Sequence, residues 1–263
     1  MSTQPLLHES TSDAPEIARA SLKLEDLQGL AIPCPPNSGQ EQSNFFELLQ
    51  DTPIIQECGE YTTVHELALF NNLKEEFSEI FSSFIPVLKA KDFQLYRHSM
   101  RVHSLTLSFT TNTLKLSEAR SLKIGLAAFF HDIGKLNIHN AILQKAADLS
   151  RQEYEIIKNH PAYGADILSQ FKLIQNVIPA LYHHHERIDG KGYPDGIRGK
   201  TIPIGARIIA IADAFEVMTS HRSYQKSRSR TQAIEELYAH AGTQFDAELV
   251  ELFHKFIELS PHL

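Results

Sequence analysis

From about residue 64 the chain sets apolar side chains at helical intervals. VHELALFNNLKEEFSEIF (64–81) places Leu67, Phe70, Leu73 and Phe77 three or four residues apart, the spacing of one buried helical face. Pro86 is expected to bend or restart that helix. Helical period continues over 93–109. LSEARSLKIGLAAFF (116–130) is apolar enough for a buried helix and delivers His131 and Asp132 at its C-terminal end. LSRQEYEIIKNH (149–160) has Ser150 as an N-cap and Glu153 three residues on, a capping-box spacing. Helices follow over 164–186, broken near Pro179, and over 203–220. Between them IDGKGYPDGIRGK is too rich in glycine, with a proline, to be anything but loop. TQAIEELYAHAG and AELVELFHKFIEL close the chain. Strand-like alternation is almost absent, so the pattern predicts an all-α helical bundle.

Upstream of residue 64 the pattern weakens. Residues 1–20 bear Ser, Thr and Pro and are expected to fray, and PCPPNSGQEQSN (33–44) reads as a linker. LEDLQGLAI and FFELLQ are too small for a core of their own. This gives an N-terminal regulatory or interaction region over 1–64, a connecting helix over 65–90 and a main domain over 91–263. At 42% hydrophobic and 22% charged, the composition is that of a soluble globular protein. No apolar run is long enough to cross a bilayer. MSTQPLLHESTSDAPE lacks a basic region followed by an apolar stretch, and Cys34 and Cys58 belong to no pairing motif, so a cytoplasmic setting is expected.

Charge divides the chain. Residues 1–85 hold 14 acidic and 3 basic side chains, and residues 86–263 hold 18 acidic and 22 basic, with twelve of the fourteen histidines. A basic, histidine-rich domain behind an acidic segment suits an anionic substrate. The excess is too small for duplex nucleic acid.

The histidines sit where chemistry could use them. HDIGK (131–135) ends a helix with an imidazole and a carboxylate about 100° apart around the axis, so both can ligate. His98 lies on a preceding helix, His160 ends another at NHP, and His184 and His185 end the next. Asp213 stands in the apolar run IIAIADAF, where a carboxylate is costly unless paired or bound to a metal. Each residue alone has an ordinary structural explanation. Together, on five helices, they indicate one metal site.

These residues resemble the HD-GYP family, a branch of the HD superfamily of metal-dependent phosphohydrolases. The resemblance rests on HSMRV around His98, HDIGK, the 141–168 segment through NHPAYG, HHERIDGKGYPDG (184–196), RIIAIADAFEVMTSHRSY (207–224) and GTQFDAELVELF, in family order over roughly 85–255. It implies an HD-type helical bundle and a phosphodiesterase that opens cyclic di-GMP to linear pGpG or on to GMP. It implies that His98, His131, Asp132 and Asp213 hold one metal, with Asp132 bridging to a second held by His160, His184 and His185. Lys135 would assist the leaving group, Arg222 and Lys226 would meet substrate phosphate, and Gly192-Tyr193-Pro194 would shape the mouth. His183 is no family ligand position. Imidazole and carboxylate without thiolate favour Fe or Mn over structural Zn.

Three positions depart from the family. Gln94 replaces a glutamate that holds a third metal in some members, so two ions are expected. Glu216 replaces an aspartate, and Gln225 a basic residue. These departures motivate the alternative of a cyclic-dinucleotide receptor or protein-interaction module with little turnover. A homodimer through helix 65–90, and a signalling partner at the GYP loop or N-terminal region, are further expectations.

Overall fold

The computed structural model describes residue 78 and residues 80–220 and 227–260. The N-terminal region 1–64 and most of the connecting helix lie outside them. Helix α1 runs over 80–91, α2 over Phe93–Asn112 and α3 over Glu118–Phe130. The HD turn is a 3-10 helix, Ile133–Asn137. Then come α4 (Asn140–Leu143), α5 (Arg151–Lys158), α6 (His160–Ser169), a 3-10 segment (Lys172–Val177), α7 (Ile178–Tyr182), a 3-10 turn (Gly199–Thr201), α8 (Ile204–Thr219), α9 (Arg230–Ala239) and α10 (Ala247–Leu259). No strand occurs among the described residues, and the expected all-α bundle is what the chain forms.

The core is aromatic and continuous. Phe81 and Phe84 of α1 pack on Phe129 and Phe130 of α3, with Phe81 and Phe129 ring centroids 4.2 Å apart. On the other side of α2, Phe109 meets Phe253 and Phe256 of α10. α8 carries Ile208, Ile209, Ile211, Ala212 and Phe215 into this core. A helix apolar on most of its circumference must be central, so any polar side chain on it is held inside the molecule.

Two local expectations need correction. Helical backbone runs unbroken from residue 80 to 91, so Pro86 does not restart the helix. A proline removes one helical hydrogen bond, while Phe84 and Leu88, both 1% exposed, bind this helix to the core on either side of it. His160 does not end a helix but begins α6. Asn159 closes α5 and opens α6, and Pro161 follows in the first turn, where a missing N–H costs nothing. The 164–186 segment breaks near Pro179, as expected. It splits into α6, the 3-10 segment and α7, which has Pro179 in its first turn, and His184 and His185 follow in the turn beyond it. The capping box of Ser150 and Glu153 forms as expected, with Ser150 Oγ accepting from the Glu153 amide at 3.2 Å.

The HD turn lies directly against the start of α6. A Cβ on Gly134 would stand 1.9 Å from the His160 carbonyl oxygen and 2.5 Å from the Gly164 amide nitrogen. Only hydrogen fits between these two backbones, and their contact fixes how far His131 and Asp132 stand from His160. Gly134→Ala is therefore expected to cost about 1–3 kcal/mol, lowering Tm by roughly 3–10 °C, and to weaken metal binding by displacing α6. Thermal unfolding and metal content per chain check this, and an unchanged Tm would contradict the close approach.

Candidate metal centre

Six of the seven expected ligands are imidazoles or carboxylates at or near helix ends, and the fold brings all seven together. His98 comes from the second turn of α2, His131 and Asp132 from the end of α3, and His160 from the start of α6. His184 and His185 follow α7, and Asp213 lies in the middle of α8. Asp132 stands at the centre. Its Oδ2 is 3.4 Å from His131 Nε2 and 3.6 Å from His98 Nε2, while its Oδ1 is 3.3 Å from His160 Nε2. The two oxygens thus face two ligand groups, one of His98, His131 and Asp132, the other of Asp132, His160, His184 and His185. Asp213 Oδ1 adjoins the first, 3.1 Å from His98 Nε2 and 3.9 Å from His131 Nε2.

One local device aims three of the rings. Each histidine donates from Nδ1 to the carbonyl three residues earlier, in the last turn of the preceding helix: His131 to Ala128 (2.6 Å), His160 to Ile157 (2.7 Å) and His184 to Leu181 (2.5 Å). A carbonyl only accepts, so Nδ1 carries the proton and Nε2 keeps its lone pair. His160 and His184 then point two lone pairs at each other across 3.4 Å. His98 and His131 Nε2 are 3.2 Å apart. Bare lone pairs at such distances repel, and a cation between them turns the repulsion into ligation. The donor set fits a pair of metal ions.

His98 is oriented by a carboxylate instead. Its Nδ1 lies 2.6 Å from Glu216 Oε2, one turn beyond Asp213 on α8. Glu216 is itself fixed by Arg101 Nε and by the Ser220 hydroxyl at 2.5 Å. The sequence reading marked Glu216 only as a departure from a family aspartate. A carboxylate on a helix otherwise apolar and central was the signal that it serves the site.

Electrostatics separate the two groups. Burial pushes the pKa of His160 down to about 3 and of His185 to about 4, and pushes His184 well below the usual range. At His98 burial acts the same way but is outweighed by the hydrogen bonds to Asp213 and Glu216, which raise its pKa to about 9. Burial raises the Asp132 pKa, yet Lys135, His131 and His160 hold it well below the carboxylate range. The carboxylates around His98 demand positive charge, and a proton supplies it where no metal does. Lys135 Nζ lies 2.6 Å from Asp132 Oδ2 and remains partly exposed.

The glycine-rich loop closes the second group. Tyr193 stacks on His185, with centroids 4.7 Å apart and planes at 27°. Glu186, another residue the sequence reading did not single out, holds the loop in place. Its Oε1 accepts from the amides of Asp195 (2.7 Å) and Gly196 (2.9 Å). A Cβ on Gly192 would come within 2.5 Å of the His185 carbonyl oxygen, the Glu186 Cα and the Arg187 nitrogen, so glycine is required there. His183 Nδ1 turns away, 3.8 Å from Glu186 Oε1, consistent with its exclusion from the ligands. Gln94 is exposed on the first turn of α2. Arg222, Gln225 and Lys226 lie outside the described residues. No helix among those residues is long and apolar enough to cross a membrane.

The sequence matches the HD domain family over residues 82–249. Over 238 residues it is 32% identical to the cyclic di-GMP phosphodiesterase response regulator RpfG of Xanthomonas campestris pv. campestris, covering 89% of this chain and 63% of that protein. It is 35% identical over 192 residues to a 3′3′-cGAMP-specific phosphodiesterase of Vibrio cholerae, covering 72% of this chain and 37% of that one. The chain thus spans less than two thirds of these relatives. A solved HDG"Y"P protein from Bdellovibrio bacteriovorus shares the fold, with a TM-score of 0.53 at 17% identity, covering 84% of this chain and 81% of that one.

Two outcomes follow from this geometry. Glu216→Ala frees His98 to rotate, and loss of such a supporting partner is expected to weaken binding of one metal about 10- to 100-fold. Metal titration of the purified variant measures this, and unchanged affinity would remove Glu216 from the support of the site. The second outcome concerns the metal-free protein. His160, His184 and His185 stay neutral when folded but protonate when unfolded, so stability falls as pH drops below about 6.5. His98 keeps its proton when folded, so its contribution is full below about pH 6.5 and is lost as pH rises through about 9. Tm of the chelated protein should therefore peak near about pH 6.5. A profile still rising at about pH 9 would contradict the charged His98.

Proposed function

The chain belongs to the HD domain family, and we propose that it is a metal-dependent phosphodiesterase that hydrolyses a cyclic dinucleotide, cyclic di-GMP before others, to the linear dinucleotide. The observation that carries this reading is the division of Asp132 between two ligand groups, one oxygen facing each. Asp132 would be the ligand shared by two ions, with His98, His131 and Asp213 holding one and His160, His184 and His185 the other. The mixture of imidazoles and carboxylates supports Fe or Mn. When bound, two such ions would generate hydroxide from water near neutral pH and draw charge from a phosphodiester.

The chain's own residues do the rest. Ring opening forms a bond from the water oxygen to phosphorus and breaks the bond to one 3′ oxygen, which must take up a proton as it leaves. Lys135, at the edge of the site with its ammonium beside Asp132, is the group assigned to supply it. The Nδ1–carbonyl bonds of His131, His160 and His184 keep their rings fixed through the step. Tyr193, stacked on His185 and held by the loop that Glu186 anchors, keeps bulk water from that side. The similarity to cyclic di-GMP and 3′3′-cGAMP phosphodiesterases supports this substrate class.

The test is product analysis with the Mn-loaded protein, or the Fe-loaded protein under anaerobic conditions. Cyclic di-GMP is expected to give the linear dinucleotide, with no accumulation of GMP, because Gln94 offers no carboxylate for a third ion. Asp132→Ala should lose metal and activity together. Lys135→Ala should keep its metal but turn over about a hundredfold or more slowly. A fully metallated protein that binds the dinucleotide and leaves it intact would instead make it a receptor.

A further inference from the structure

Helix α5 buries none of its residues, yet it is firmly placed. The Ser150–Glu153 capping box starts it, and Lys145 Nζ holds Glu153 at 2.6 Å. Its last residue is two positions before His160. Two side chains one turn apart on it, Tyr154 and Lys158, stand beside the GYP loop. Lys158 Nζ lies 5.6 Å from the Tyr193 ring centroid and 5.8 Å from that of Tyr154. Tyr193 in turn stacks on His185. An unbroken series of contacts therefore runs from a candidate metal ligand through Tyr193 and Lys158 to Tyr154, a residue 50% exposed.

The other exposed aromatics of the described residues are engaged differently. Tyr238 is bonded through its hydroxyl to His254 at 3.1 Å, and Phe93 packs on Tyr96. Tyr154 is the one with a cation at its side and a catalytic-type cluster beyond it. An aromatic face in water next to a fixed ammonium suits a heteroaromatic ring that stacks on the first and hydrogen-bonds to the second.

We propose that Tyr154 and Lys158 form a nucleobase subsite at the mouth of the metal centre, in which a purine stacks on the Tyr154 ring and Lys158 donates to its edge. Guanine presents two acceptors there, O6 and N7, whereas adenine replaces O6 with an amino donor. The subsite thus favours guanine. Glu155, whose carboxylate oxygens lie 3.1 and 3.2 Å from Lys158 Nζ, keeps the ammonium on this side of the helix. The inference rests on the cyclic-dinucleotide reading for the rest of the ligand, but the base contact itself needs no turnover.

The chain contains no tryptophan, so Tyr154→Trp places a single, selectively excitable indole at the subsite. In the metal-loaded full chain, GMP and cyclic di-GMP are expected to quench it, AMP to do so more weakly, and ribose 5-phosphate not at all. Tyr154→Ala should raise KM for cyclic di-GMP by about 5- to 100-fold, with kcat and metal content nearly unchanged, and Tyr154→Phe should restore KM. Lys158→Met should erase the preference for GMP over AMP. No quenching by GMP or cyclic di-GMP, or an unaltered KM in Tyr154→Ala, overturns the subsite. If no cyclic dinucleotide is hydrolysed, the phosphodiesterase reading fails by itself, and quenching by GMP still decides the subsite.

Discussion

A carboxylate buried among imidazoles is the constraint on which this molecule is organised. Asp132 is only 3% exposed, and an ionised carboxylate there is tolerable only with compensating charge and hydrogen-bond donors close by. Lys135 meets part of that demand. The Nε2 atoms of His98, His131 and His160 all lie within 3.6 Å of its oxygens. Those of His131 and His160 face inward as lone pairs, since their Nδ1 protons are already committed to backbone carbonyls, while His98 is held by the carboxylates of Asp213 and Glu216. Carboxylate and lone pairs together leave a surplus of electron density in a dry place. At His98 the carboxylates of Asp213 and Glu216 outweigh burial and raise the pKa, whereas at His160 and His185 burial outweighs the carboxylates and depresses it.

Much of the surrounding architecture serves this convergence. The HD turn and α6 meet without a side chain between them, because Gly134 has none. The GYP loop meets the backbone of the His185–Arg187 segment in the same way at Gly192. Both glycines bring a backbone carrying a ligand within reach of another, and both lie in motifs whose named residues are chemical. α8 supplies Asp213 toward the centre and, one turn on, Glu216 behind His98, so a single helix provides both a candidate ligand and the support of another.

The chemistry of the site was legible in the sequence to a greater depth than its scaffolding. His131 and Asp132 at the end of an apolar helix, and Asp213 inside another, announced themselves because a polar group in an apolar run needs a reason. The i−3 carbonyl bonds that aim three of the histidines were not legible, since they depend on where each helix stops. His160 illustrates this: the period of 149–160 runs smoothly through it, and only the backbone reveals that Asn159 divides two helices. Pro86 erred in the opposite direction, as tertiary contacts of Phe84 and Leu88 overrode a local helix breaker. Glu186 was invisible for a third reason. Its role is to accept two amide protons from a loop nine and ten residues away, and no spacing rule relates a side chain to backbone donors at that range.

The two faces of the centre differ in a way that bears on specificity. The side toward α2 and α8 is closed by carboxylates and by the Arg101–Glu216 pair, which suits holding an ion and offers little to a base. The side toward α5 and the GYP loop adds a tyrosine stacked on His185 and a lysine to the second ligand group, which suits holding a base beside an ion. A dinucleotide engaging such a site must present a phosphate inward and a base toward α5. Tyr154 and Lys158 sit on a helix that buries none of its residues, where substitution disturbs no core. On the proposed reading, discrimination among cyclic dinucleotides can vary on that face while the ligand cluster stays constant, because the two tasks fall to different elements.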